Sequence, residues 1–305
     1  MAHVEISPEW DGWLRDWQMS LKADGKRPDT LKTYERSARI FLDHVLPKEP
    51  DEVTPRDIEA FMVALIDARQ SDATRRLRLM ALRSLFGFML AEPNSPLNSN
   101  PAVGIAPPVV EDPHIDIVTD ETLVAVLKTC DKTFLGLRDT AIIRLMLACG
   151  LRRAELVGVD VDDLDLIQQL LVVHGKGGKA RIVSIGGTKT PLALSRYIRA
   201  RRKHPRAADS ALFLVQRQAG DARMSGAAVA EMLRRRCRMA GVGPIHPHQL
   251  RHTWAHLNKV EGLSDEDLER MGGWSAPGMV RRYGRAMADQ RALAAHARLA
   301  VGDRL

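Results

Sequence analysis

At 305 residues and 45% hydrophobic, the chain can bury a sizeable core divided between two domains; it lacks the roughly 20-residue apolar run of a membrane span, and Met1-Ala2-His3-Val4-Glu5 does not begin an export signal. Three cysteines without paired spacing, Cys130, Cys149 and Cys237, suit a reducing cytoplasm and argue against a structural zinc. The net charge of +7 is concentrated: residues 1–110 carry 14 Lys and Arg against 16 Asp and Glu, whereas 111–305 carry 31 against 22, so the second part is expected to meet a polyanion.

Residues 8–91 read as four helices. Trp10, Trp13, Leu14 and Trp17, then Leu31, Tyr34, Ala38, Phe41 and Leu42, recur at three and four, and each set forms one apolar stripe. Tryptophans at that spacing are expected in a core rather than as a stacking platform for bases. Thr54-Pro55-Arg56-Asp57 opens the third helix with a capping residue and a proline, and Phe61, Met62 and Leu65 supply its buried side. The fourth starts near Ser71, with Leu79, Leu82, Phe86 and Met89 on one face. Arg75, Arg76, Arg78 and Arg83 stand on or beside the other, a cationic run that fits either a solvated surface or DNA. Six prolines between Glu92 and Pro113 then predict an extended, fairly stiff linker.

The second domain opens at Thr119-Asp120-Glu121-Thr122. Residues 134–149 form the most apolar helix, ended by Gly150 as a left-handed residue, and a short helix starts within Leu151-Arg152-Arg153-Ala154-Glu155-Leu156. One of the two arginines must turn toward Glu155; periodicity does not say which. Residues 170–173 and 181–185 read as two strands joined by His174-Gly175-Lys176-Gly177-Gly178-Lys179. A phosphate loop would need Ser or Thr after its lysine at a strand-to-helix junction, whereas Lys179-Ala180 leads into a strand. Residues 189–203 and 228–239 are helical, and the second of these carries Arg234, Arg235, Arg236 and Arg238 all round its circumference, so some must meet solvent or phosphate.

In His246-Pro247-His248-Gln249-Leu250-Arg251-His252, Pro247 suits the first helical position, which puts His248 and Arg251 in the opening turn on one face. Free backbone N–H groups, the positive end of the helix dipole, an imidazole and a guanidinium together seat a phosphate and point to phosphoryl transfer. His248, His252 and His256 are also spaced as metal ligands, but the fixed charge of Arg251 among them opposes a dication. A short helix over 264–271, the turn Gly272-Gly273-Trp274, the stretch Arg281-Arg282-Tyr283-Gly284-Arg285 and an Ala-rich helix over 287–300 end the chain.

These blocks, in this order, resemble the tyrosine recombinases of the phage-integrase and Xer type. Gly150-Leu151-Arg152-Arg153-Ala154-Glu155-Leu156 resembles the first arginine box, which selects Arg152 for the phosphate and gives Glu155 a supporting place. Gly175-Lys176-Gly177-Gly178-Lys179-Ala180-Arg181 resembles the hairpin carrying the catalytic lysine, Lys176. Pro247-His248-Gln249-Leu250-Arg251-His252-Thr253 resembles the second box, with His248 and Arg251, and Trp274 precedes Tyr283 by nine, the family's spacing for its last two site residues. Histidine is more frequent where Trp274 stands. An indole N–H donates to phosphate but exchanges no proton, which leaves acid–base work to His248 and Lys176.

The resemblance covers essentially the whole chain. It implies a mainly α fold: an N-terminal four-helix, SAM-like core-binding domain at 1–106 that clamps DNA, a linker at about 92–113, and a mainly α catalytic domain at 114–305 with a small antiparallel β-sheet. The implied activity is site-specific recombination of double-stranded DNA through a 3′-phosphotyrosyl intermediate on Tyr283, without metal, ATP or other cofactor. Implied partners are a recombination site, with Arg75, Arg76, Arg78, Arg234, Arg235 and Arg238 as candidate contacts, and further copies in a homotetramer on DNA; accessory DNA-bending proteins are an open addition. Away from DNA a monomer or weak oligomer is expected. The helix over 287–300 is expected on a neighbouring protomer or on its own domain, and the location is the bacterial cytoplasm beside the nucleoid, with no membrane partner. The rival readings are a catalytically silent DNA-binding accessory protein and a metal-dependent nuclease using the three histidines.

Overall fold

The structure, a computed structural model, describes residues 6–110, 117–175, 178, 180–216, 220–274, 293, 296 and 297. It divides into two compact units, Met1–Pro113 and His114–Leu305.

The first unit is built from α1 (Pro8–Ala23), α2 (Pro28–Val45), α3 (Pro55–Asp67) and α4 (Asp72–Ala91), the four helices the apolar stripes predict. Proline opens α1, α2 and α3, where its fixed φ suits the first turn and no N–H is missed. Ser7 and Ser71 cap α1 and α4 by accepting from the backbone N–H groups of Trp10 and Thr74. Trp10, Trp17, Phe41, Phe61 and Phe86 are buried, and Phe41 meets Phe61 edge-on with ring centroids 5.2 Å apart. Trp10 Nε1 donates to Lys48 O at 2.9 Å and Trp17 Nε1 to Ser84 Oγ at 3.2 Å, so both indoles are spent inside the fold.

The expected extended linker is corrected over 97–105. Arg83 donates through Nε to Ala102 O at 3.0 Å and through Nη2 to the carbonyls of Val103 and Ile105, while Asn100 Nδ2 donates back to Arg83 O at 2.9 Å. Ala102 is fully buried, and Leu97 and Ile105 lie against the same core. Burial of these apolar residues overrides the stiffness that the prolines suggest, and Arg83 serves this fold-back rather than a free cationic face.

In the second unit α5 (Asp120–Lys128) packs on α9 (Gly226–Ala240), and α6 (Phe134–Cys149) lies against α8 (Lys189–Arg201) and α10 (Pro247–Val260). Ile142, Ile143, Leu145 and Met146 of α6 are fully buried, as its apolar sequence predicts. An antiparallel sheet runs in the order β1 (Leu164–Asp165), β2 (Leu170–His174), β3 (Ala180–Ser184), with Val172 opposite Ile182. The two-residue β1 is too short for alternation to register in the sequence. Between and after these come α7 (Arg153–Gly158) and α11 (Asp265–Gly272). Val118 N–H donates to the buried Thr253 Oγ1 at 3.0 Å, tying the start of the unit to α10, and the same hydroxyl donates to Gln249 O at 2.8 Å.

Gly150 ends α6 at φ +58°, and the Trp254 ring occupies the space a Cβ would need. Gly150→Ala is expected to cost about 2–5 kcal/mol, a left-handed penalty plus overpacking, and to lower the thermal midpoint by several degrees. An unchanged melting curve would contradict this packing.

Candidate active site

Arg152 is the N-cap of α7, and Glu155 at the third helical position reaches back to it. Glu155 Oε2 accepts from Arg152 N–H at 2.9 Å and Oε1 from Arg152 Nη1 at 2.7 Å, which settles the choice between the adjacent arginines. The same carboxylate accepts a fork from Arg181 of β3: Nη1 donates to Oε1 at 3.0 Å and Nη2 to Oε2 at 2.9 Å. Sequence reasoning missed this partner. The available signal was strand alternation, which places Arg181 on the inward face with Val183, where a guanidinium needs an acid.

Three guanidiniums converge on three consecutive carbonyls at the end of α11. Arg181 Nε donates to Met271 O at 2.7 Å, Arg251 Nη2 to Gly272 O at 2.7 Å, and Arg152 Nη2 to Gly273 O at 2.7 Å. A helix C-terminus presents its unsatisfied carbonyls and the negative end of its dipole, so it suits three cations. Arg251 also donates through Nη1 to Gly150 O at 2.5 Å and is 2% exposed. Its guanidinium carbon lies 4.2 Å from the centroid of the Trp274 ring, and Trp274 stacks on Trp254 at 6.0 Å. Trp274 therefore offers its ring face to the Arg251 cation.

His248 follows Pro247 in the first turn of α10, its ring centroid 5.4 Å from that of His252. Burial and the charges of Arg251, Arg152 and Arg153 push His248 below the usual histidine range, and burial, His248 and Arg251 bring His252 down to about 4. Both shifts favour the neutral imidazole. Among the described residues, no three His, Cys, Asp or Glu side chains are grouped to hold a metal ion.

Burial by itself would raise Glu155, but hydrogen bonds from Arg181 and from the backbone and side chain of Arg152, with the Arg181 charge, outweigh it and bring the carboxyl down from 4.5 to about 2. A carboxyl depressed on folding adds stability above its unfolded pKa, and that stability is lost as pH falls toward the folded value. Glu155→Gln is expected to melt below the wild type at pH 7 and to converge with it as pH falls from 4.5 to about 2; a gap that stayed constant over this range would contradict the assignment.

Arg152, Glu155, His248, Arg251 and Trp274 are thus brought together, whereas Lys176, Tyr283 and nearly all of 287–300 lie outside the described residues. Of the candidate DNA contacts, Arg75 pairs with Asp72, Arg76 is exposed, and Arg78 donates weakly to Gln70 at 3.5 Å. Arg234 and Arg238 are exposed and share Glu231, each at 3.2 Å. Arg235 and the buried Arg236 both meet Asp139 of α6 at 2.8 Å, and Asp139 also accepts from Arg138 at 2.9 Å.

The sequence pattern of the Phage integrase family matches residues 117–290, and that of the phage integrase N-terminal SAM-like domain matches 13–94. The chain belongs to the phage integrase family, and it is a tyrosine recombinase. The recombinase is 30% identical over 280 residues to tyrosine recombinase XerC of Pelobacter propionicus, covering 88% of this chain and 89% of that one. With XerC of Pseudomonas fluorescens it shares 33% over 243 residues, covering 75% and 76%. Among solved structures, the Tn1549 transposon integrase in complex with transposon right-end DNA superimposes with a TM-score of 0.76 at 20% identity, over 94% of this chain and 99% of that one. A lambda integrase dimer bound to a COC′ core site gives 0.73 at 17%, over 91% and 96%. These two share the recombinase's mainly helical fold with its small sheet.

Proposed function

We propose that this recombinase cuts and rejoins DNA at a specific site through a 3′-phosphotyrosyl intermediate on Tyr283. The observation that supports it best is the convergence of Arg152 and Arg251, from well-separated boxes, on the carbonyls of Gly273 and Gly272 directly before Trp274. Glu155 and Gly273 O set the direction of the Arg152 guanidinium, and the carbonyls of Gly150 and Gly272 that of Arg251, before either is asked to take a non-bridging phosphate oxygen. The phenol oxygen of Tyr283 attacks phosphorus and its proton passes to the neutral His248. The bond to the 5′ oxygen breaks, and Lys176 gives that oxygen a proton. An incoming 5′ hydroxyl then reverses these steps on another strand, so the bond energy is kept and no ATP is spent.

The first unit serves as the DNA clamp and the second as the catalytic domain. Arg75, Arg76 and Arg78 on α4 and Arg234, Arg235 and Arg238 on α9 are the phosphate contacts, with Arg235 sharing its charge with Asp139. A tetramer on two duplexes, in the bacterial cytoplasm beside the nucleoid, is the working form. A solved lambda integrase tetramer bound to a Holliday junction has the same fold as this chain, with a TM-score of 0.72.

Incubation with a nicked duplex carrying the cognate site should yield a covalent protein–DNA adduct with chelator present. Cleavage that depended on a divalent metal and left no adduct would overturn the reading. Lys176→Ala should slow cleavage by about 10²- to 10⁴-fold. Replacing the bridging 5′ oxygen by sulfur, which departs without a proton, should restore most of that loss; no rescue would remove the lysine's acid role.

A further inference from the structure

We propose that Arg181 is a positioning residue for strand cleavage, acting through Glu155 on Arg152; this rests on the reading of Arg152 as a phosphate clamp. Its side chain is 13% exposed, and all three of its nitrogens are engaged, two on Glu155 and one on Met271 O. The group therefore joins three pieces of chain: the hairpin that carries Lys176, the first arginine box and the turn before Trp274. Gly273, at φ +63°, leaves room for it, since a Cβ there would sit 2.9 Å from Arg181 Nη1.

The carboxylate of Glu155 has about four lone-pair sites and receives four hydrogen bonds, two from Arg152 and two from Arg181. Saturation fixes its plane, and with it the direction of the Arg152 guanidinium. Without Arg181, two of those sites open. Arg152 then has the option of a bidentate grip on Glu155, which draws its fork away from Gly273 O and from an incoming phosphate. A buried guanidinium that merely held the fold together would affect every substrate alike, whereas a positioning group matters most where the charge on the phosphate must be met.

The test uses the full chain carrying Arg181→Gln or Arg181→Lys, with single-turnover cleavage, DNA affinity and melting measured on each. Cleavage of the ordinary phosphodiester should fall about 10- to 100-fold, the usual cost of losing the support behind a working group, while DNA affinity holds. The deficit should largely vanish when a methyl group replaces one non-bridging oxygen, because that linkage lacks the charge Arg152 answers. Combined with Glu155→Gln, either variant should be no slower than Glu155→Gln alone. An equal deficit on both linkages, additive losses or an undiminished rate would overturn the proposal. If Arg181→Gln melts below the assay temperature, Arg181→Lys carries the comparison; if neither folds, the role is purely structural and the proposal falls. Wild-type protein without an adduct would instead remove the underlying reading of the site.

Discussion

Tyr283→Phe should leave DNA binding intact and abolish the covalent adduct, lowering strand cleavage by at least about 10⁴-fold, the scale on which enzymes with an otherwise complete site feel the loss of their nucleophile. The substitution removes a single oxygen, the atom assigned to form the new bond to phosphorus. A phenol has a pKa near 10 and is a poor nucleophile at neutral pH, so it depends on positive surroundings and a base to take its proton. In the mechanism proposed above, Arg152 and Arg251 are assigned the first part and His248 the second. Denaturing electrophoresis after incubation with a nicked duplex reads the outcome directly, and an adduct formed by the Phe variant would move the nucleophile elsewhere.

Arg251→Gln is expected to lose about 3–4 kcal/mol of transition-state stabilisation, or roughly 10²- to 10³-fold in cleavage rate. Stability should fall too, by about 1–3 kcal/mol, because the carbonyls of Gly150 and Gly272 lose a buried charged donor and Trp274 loses the cation above its ring. Arg251→Lys separates charge from shape. An ammonium keeps the charge but not the planar fork that reaches the carbonyls of Gly150 and Gly272 together, so it should recover little of the rate. Near wild-type cleavage by the lysine variant would remove the clamp from the mechanism.

Legibility in the sequence followed the range of the interaction. The first unit was readable because Trp10, Leu14 and Trp17, or Leu79, Leu82 and Phe86, repeat at helical spacing and end up buried together. The helix starts near Ser71 and at Ser264 could be read because a cap and its helix are local, and both serines accept a backbone N–H of the first turn. Gly150 was readable for the same reason. Asp139 was not: its partner Arg236 lies 97 residues away, and nothing along the chain announces a buried carboxylate in the most apolar helix. The fold-back of 97–105 on Arg83 was hidden by prolines, whose stiffness is a local rule that the burial of Ala102 overrides. For the site, helix-start chemistry gave His248 and Arg251 a shared face. The choice of Arg152 over Arg153 and the parts given to Lys176 and Tyr283 needed the order of separated boxes. Arg181 escaped because its meaning depends on Glu155, met only after the sheet has folded.

The bond from Val118 N–H to Thr253 Oγ1 spans 135 residues of sequence. Val118 stands near the start of the second unit, and its backbone N–H is anchored on the helix bearing His248 and Arg251. Thr253 also donates to Gln249 O, so two successive hydrogen bonds through a single hydroxyl join the backbone at Val118 to the opening turn of that helix.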